Sequence, residues 1–370
     1  MQFLARFILL VAAVAAIVSA HPGGHAPSTT KLETNKLYKR SAHQRYTRCA
    51  SSSAVRRRHA HDAQVRRQER IDQLRARTLR RRNLSDYASE ILNTTHHSNR
   101  TDLTNTTIAS TGNVFNSNHT EACVLQPEVT IGPYWVSGEL VRSNVTDDEP
   151  GVPLYLDAQF VDIDTCEPVK DLYWEIWSCN STGVYSGVQA PGNGNQDDDS
   201  NLNATFLRGV QQTDENGASQ FQTIFPGHYT GRTTHIHVVA HTNATLLANN
   251  TLASSATGGA IHIGQLFFDQ DLISQVEAIE PYASNTQNVT TNADDFIFVE
   301  EAANQGSDPI VEYVWLGSSV QDGIFAWATI AVDVGANYTT QAAVSYTDHG
   351  GVTNQGSQTP GMGMGRAPPS

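Results

Sequence analysis

After Cys123 the chain turns to short β-type runs of apolar and polar residues, broken by turn residues. Val152 to Ile163 and Leu172 to Trp177 predict strands. In the second, Leu172, Trp174 and Ile176 share one face, because successive strand side chains point to opposite sides. Asn216-Gly217, between Leu207–Gln212 and Gln220–Phe225, predicts a tight hairpin. Further strands are predicted over Thr234–His241, Ala260–Phe268, Tyr313–Leu316 and Ile324–Val334, with one short helix over Asp271–Ile279. Together these runs predict a mainly β fold: an antiparallel β-sandwich core with short helices.

The flanking segments read differently. Residues 62–82 have helical composition, with Val65, Ile71, Leu74 and Leu79 as sparse apolar positions. Residues 83–120 are rich in Asn, Thr and Ser and read as a glycosylated linker, while 346–370 hold no packing pattern and are expected to be a disordered tail. At the other end, Phe7 to Ile17 is an apolar run preceded by Arg6, and Val18-Ser19-Ala20 has the small residues of a cleavage site. That is the pattern of a signal peptide over 1–20, too short to span a bilayer. Twelve Asn-x-Ser/Thr sequons beside it predict a secreted, extracellular glycoprotein, with no membrane association once the signal is removed. The expected body is 121–345.

Charge separates the segments further. Residues 1–82 hold 18 of the 24 Lys and Arg but four of the 37 Asp and Glu, a net charge of +14 against −27 for 83–370. Residues 21–82 thus form a basic, partly helical N-terminal arm, read as a propeptide or as an arm that docks on its own acidic domain. Lys39-Arg40, Arg57-Arg58 and Arg80-Arg81-Arg82 offer processing points. A nucleic-acid partner is not expected, because the arm lacks interleaved aromatics and follows a secretory leader. Cys49, Cys123, Cys166 and Cys179 permit three pairings in an oxidising compartment. One joins Cys166 to Cys179 and tethers the arm through Cys49–Cys123.

The densest chemistry lies in Pro226-Gly227-His228-Tyr229-Thr230-Gly231-Arg232-Thr233-Thr234-His235-Ile236-His237. In a strand, His235 and His237 point the same way, and two imidazoles on one face suit zinc, copper or iron. Tyr229 narrows the choice, since a phenol ligates well only when a strongly acidic cation removes its proton. Ferric iron is the natural candidate.

With Trp177-Ser178-Cys179-Asn180-Ser181-Thr182-Gly183-Val184-Tyr185-Ser186-Gly187, Leu207-Arg208-Gly209, Thr213-Asp214-x-x-Gly217 and Thr223-Ile224-Phe225-Pro226-Gly227 leading into Tyr229 and His235-x-His237, the chain resembles the intradiol ring-cleavage dioxygenases. The secretory leader and Arg-rich arm are similar to that family's extracellular branch. The resemblance implies a β-sandwich holding one mononuclear non-haem Fe(III) between two tyrosines and two histidines, expected inside the sandwich. Carried over, the metal ligands are Tyr185, Tyr229, His235 and His237, with Tyr229 and His237 axial. Tyr229, Arg232 and Gln265 take the catalytic positions. The implied partners are a catechol-type substrate and O2, the implied product is of muconic-acid type, and the resemblance admits a homodimer. Ile131 before Gly132-Pro133-Tyr134, and Ser178 after Trp177, depart from the family's usual residues at the substrate mouth.

Taken singly, these residues have plainer readings. Tyr185 suits loop packing, Arg232 a surface ion pair, Trp174 and Trp177 the core or a substrate wall, His228 a turn, and Asp197-Asp198-Asp199 a solvated loop. A phenolic- or carbohydrate-binding sandwich without turnover is the first rival. A zinc hydrolase using His235 and His237 is the second, and the two tyrosines disfavour it.

Overall fold

The computed structural model describes residues 29–50, 53–81, 131–195, 197–242, 244–253, 259–302 and 309–354. The expected signal peptide, the linker, Cys123 and residues 355–370 of the expected tail lie outside these.

Two four-stranded sheets form the body. One has the order β5 (Ala218–Ile224), β2 (Pro153–Asp162), β9 (Ile324–Val332) and β8 (Glu312–Trp315). The other runs β4 (Arg208–Gln212), β3 (Tyr173–Trp177), β6 (His235–His241) and β7 (Ala260–Phe267). Period-two alternation explains the layering. Leu154, Leu156, Ala158 and Phe160 of β2 meet Trp174 and Ile176 of β3 and Ile236, Val238 and Ala240 of β6 in the central core. Trp174 makes edge contacts with Phe160 and Phe221 at 5.4 and 4.9 Å. Each such pair adds about 0.5–1.5 kcal/mol beyond its area burial.

The second sheet is antiparallel throughout, as expected, but the first is mixed, because β2 and β9 run parallel. These strands meet through the intervening body rather than through a hairpin, so nothing forces them to oppose. A third sheet joins β1 (Val136–Ser137), β10 (Val344–Thr347) and β11 (Gly350–Thr353). The expected tail therefore starts too early, since Gly350–Thr353 pairs with Val344–Thr347. Val136 and Val344 of this small sheet pack with Trp177, Tyr185 and Tyr229, closing the outer face of the second sheet.

The arm folds as two helices, α1 (Thr29–Ala50) and α2 (Ser53–Arg81), rather than one helix over 62–82. The buried side of α1 is Lys39, Ala42 and Tyr46, a helical spacing that the charged Lys39 hides from apolar pattern reading. Ala42 and Tyr46 pack on Val161, Ile163 and Ala331. Ile71 and Leu74 of α2 pack on Val314, Leu316, Phe325 and Trp327. Ion pairs accompany this packing. Arg66 and Arg67 reach the buried Asp157 at 3.0 and 2.7 Å, Arg45 reaches Asp333 at 2.7 Å, and Lys39 donates to the Glu301 carboxylate at 3.1 Å. Cys49 is bonded to Cys166, 117 positions away. That replaces the Cys166–Cys179 bridge with its Cys49–Cys123 tether, and Cys179 is a buried thiol. The basic arm thus lies on the acidic body along three kinds of contact. Two further helices, α3 (Gln270–Glu277) and α4 (Phe296–Ala302), follow β7.

Replacing Cys49 and Cys166 together by alanine is expected to lower the unfolding free energy by about 2–5 kcal/mol in urea denaturation. A loss under about 0.5 kcal/mol would mean that arm and body are not cross-linked. Asp157 sets a pH limit as well. Burial pushes its carboxyl up, but Arg67 and Arg66 outweigh burial and hold it below the ordinary carboxylate range. A depressed pKa stabilises above the unfolded value and is lost as pH falls through the folded one. Hydrogen exchange in α2 is therefore expected to stay slow from neutral pH to about pH 4 and to quicken below it. Acceleration already at pH 6 would contradict this anchoring.

Candidate metal centre

Because Ile236 and Val238 occupy the core face of β6, alternation sends His235 and His237 to the opposite face. The centre therefore lies outside the sandwich, under the small sheet and two loops, and not between the main sheets as expected. Register builds a row across this face: His237 pairs with Trp177 of β3 and with Gln265 of β7. The Trp177 indole stacks on the His237 ring at 4.5 Å, nearly parallel, which fixes the imidazole plane. Trp177 is thus a wall of the centre, whereas Trp174 is core.

Two loops deliver the tyrosines. Asn180 opens the first by accepting through Oδ1 from the backbone N–H of Thr182 and of Val184, an Asx turn. Gly183 follows at φ +87, where a Cβ would stand 2.3 Å from the His228 carbonyl oxygen. Tyr185 is then clamped through its backbone. Its N–H donates to Asn193 Oδ1 at 2.7 Å, and its carbonyl accepts from Asn193 and Asn201 at 2.8 and 2.9 Å. The second loop approaches at Gly227, whose added Cβ would lie 2.5 Å from the Asn180 carbonyl oxygen. That close approach sets Tyr229 beside Tyr185, with ring centroids 5.6 Å apart. Tyr134 stacks on Tyr185 at 4.8 Å.

The side chains converge. His235 Nε2 lies 3.1 Å from His237 Nε2, 3.4 Å from Tyr185 Oη and 3.5 Å from Tyr229 Oη. His235 Nδ1 faces the Thr233 carbonyl at 2.6 Å, so Nδ1 carries the proton and the Nε2 lone pair points into the cluster. Donors about 2.1 Å from a shared ion and at right angles stand about 3 Å apart, so the spacing fits one metal. Burial pushes the Tyr185 phenol far up, with the neighbouring Tyr229 adding to it. Burial also raises Tyr229, against the opposing charge of Arg232. Burial and then Arg232 hold His235 well down, neutral and ready to ligate. Two neutral phenols become anionic donors only beside a strong cation, and a trivalent ion suits them. Among the described residues no three His, Cys, Asp or Glu gather to hold a metal, so the tyrosines are integral to any site here.

Arg232 is fully buried and returns close to Tyr229 through a tight turn. One terminal nitrogen donates to Gln265 Oε1 at 2.5 Å, and Nε donates to Asp295 at 2.7 Å. Gln265 thus stands beside both His237 and Arg232. Asp295, Asn193 and Asn201 carry no motif and gain meaning only from these partners. His228 also proves more than a turn residue. It is buried, with Nδ1 2.8 Å from Glu277 of α3 and Nε2 3.0 Å from the Gln287 carbonyl. Ile131 packs at the edge of the cluster, Ser178 is buried, and Asp197–Asp199 is exposed, with Asp198 capping a short 3-10 helix that begins at Asp199.

A family model described as Dioxygenase matches residues 132–310, which contain all four donors, Arg232 and Gln265. An intradiol ring-cleavage dioxygenase from Tetranychus urticae is 31% identical, with 58% of this chain and 97% of that one covered, at a TM-score of 0.46. The dioxygenase domain of a carbohydrate-binding fusion from Streptomyces sp. SirexAA-E is 22% identical, over 57% of this chain and 99% of that one, at 0.37. Catechol 1,2-dioxygenase from Pseudomonas arvilla C-1 is 17% identical, over 56% and 62%, at 0.34. No curated protein matches the chain. The 31% identity across 97% of the Tetranychus urticae protein, together with the family-model match, means that this chain belongs to the intradiol ring-cleavage dioxygenase family.

Proposed function

We propose that this protein is a secreted Fe(III) intradiol dioxygenase. It inserts O2 into catechol-type aromatics, cleaves the ring between the two hydroxyls and releases muconic-acid-type products. The observation that carries this reading is the approach of Tyr185, Tyr229 and His237 to within 3.1–3.5 Å of His235 Nε2. One ferric ion held by these four side chains would supply the electron-accepting centre that lets a catechol react with triplet O2.

The chain's own contribution is positional and electrostatic. Tyr229 Oη, once ionised beside that ion, would accept a catechol proton. Arg232, a buried cation, stabilises negative charge growing on the substrate, an effect that exclusion of water strengthens. Gln265 holds one arm of that guanidinium. Tyr134 and Trp177 wall the cluster by stacking on Tyr185 and His237. Action outside the cell is supported by the apolar leader and by the sequons, of which Asn144, Asn203, Asn249, Asn288 and Asn337 are exposed and open to glycans.

Oxygen uptake with a panel of catechols is expected to match ring-cleaved product mole for mole. Coloured, iron-loaded protein that consumes no oxygen would establish the silent binder instead. Tyr229→Phe is expected to weaken the tyrosinate-to-iron absorption and to slow turnover about 10²-fold or more. Turnover within twofold of wild type would remove Tyr229 from the chemistry. His228→Ala is expected to cost about 1–3 kcal/mol of stability, because the buried ring and its hydrogen bonds to the half-buried Glu277 and Gln287 are lost, while iron is retained. Loss of iron in that variant would shift the ligand set.

A further inference from the structure

Asp295 is a buried carboxylate that belongs to none of the motifs, and four donors meet on it. Its Oδ2 accepts from Arg232 Nε at 2.7 Å and from the Thr233 backbone N–H at 2.8 Å. Its Oδ1 accepts from the backbone N–H groups of Ile297 and Phe298, at 2.9 and 3.0 Å. Those two N–H groups open α4 and have no carbonyl a turn earlier to bond. One side chain therefore caps a helix and grips the loop between Tyr229 and His235.

Both ends of that grip lead to the centre. On one side, Asp295 and Gln265 hold Arg232 at two different nitrogens, which removes the rotation that a guanidinium tied at one point keeps. On the other, the Thr233 residue is held at its N–H by Asp295, and its carbonyl accepts from His235 Nδ1 at 2.6 Å. Asn292 supports the same residue by meeting the Thr233 hydroxyl at 2.7 Å and donating to the Phe268 carbonyl at 2.9 Å. The anchor is stiff, because Asp295 is itself fixed by the first turn of a helix. Phe267, paired with His235 in the sheet, packs against Ile297 of that helix.

We propose that Asp295 is a positioning residue for ring cleavage: it aims the Arg232 guanidinium and, through Thr233, holds the His235 imidazole in its donor orientation. The proposal rests on the dioxygenase reading above. It separates two jobs that a plain helix cap would not combine. A cap needs only the Oδ1 contacts. Positioning needs Oδ2, which Asn cannot supply while also capping α4, since one of its two terminal atoms is a donor.

The test is a double-mutant cycle on Asp295→Asn, Arg232→Met and the pair together. The pair removes both buried charges at once and so avoids stranding either one. Steady-state oxygen uptake gives kcat and KM with catechol, and chelator competition gives the rate of iron release as a readout independent of turnover. Asp295→Asn is expected to lower kcat about 10- to 100-fold with a smaller change in KM, since displacement of a catalytic group by about 1 Å costs rate on that scale. Iron release is expected to speed up severalfold. In the Arg232→Met background, Asp295→Asn is expected to change kcat by less than about threefold, the residue it aims being gone. Losses that multiply in the double variant, or kcat of Asp295→Asn within twofold of wild type, would overturn the proposal. Should Asp295→Asn fail to fold, Asp295→Ser keeps a helix cap while falling short of Arg232, and the same kcat loss and faster iron release are expected. Wild-type protein that cleaves no catechol would sink the dioxygenase reading, whereas active wild type with an indifferent Asp295 would sink this inference alone.

Discussion

The alternation of β6 is the constraint from which the rest of the molecule follows. Ile236, Val238 and Ala240 enter the core between the sheets, so His235 and His237 must share the other face. A one-residue slip of register would exchange the two sets, burying imidazoles in the apolar core and turning isoleucine and valine toward the tyrosines. The core that stabilises the fold therefore also determines where the nitrogens point. Both neighbours of β6 obey the same register, which brings Trp177 and Gln265 level with His237.

Around that row, the fold contributes closures of different physical kinds. Backbone contact between Gly227 and Asn180 places the two tyrosine loops against each other. Amide side chains of Asn193 and Asn201 hold the backbone of Tyr185. A buried ion pair holds Arg232, and such a pair is costly to break from one side because the remaining charge has no solvent. On the far side of the body, the arm covers the outer face of the other sheet through apolar packing, ion pairs and one disulfide. Arg45, Arg66 and Arg67 of this basic arm thus meet acidic groups of their own chain.

Legibility in the sequence followed the range of the forces involved. Strands built on alternation, such as β2 and β6, could be read locally because each residue's face depends on its parity. The four donors could be read because they sit in short motifs. What escaped depends on distant partners. Val344–Thr347 lies between the nearby Gly350–Thr353 and Val136–Ser137, which comes from 208 positions earlier. The first arm helix hides its buried face behind Lys39, whose partner Glu301 is 262 positions away. Asp295 looks like any loop aspartate until Arg232 is brought to it from 63 positions earlier. The centre was also expected inside the sandwich, an error of layer rather than of residue, since parity groups His235 with His237 without saying which face meets the other sheet.

Diffraction at wavelengths on either side of the iron absorption edge tests the central claim most directly. A single anomalous peak in contact with Tyr185 Oη, Tyr229 Oη, His235 Nε2 and His237 Nε2, absent below the edge, is the predicted result. A peak that persists below the iron edge, or one touching the histidines but neither phenol oxygen, would contradict it.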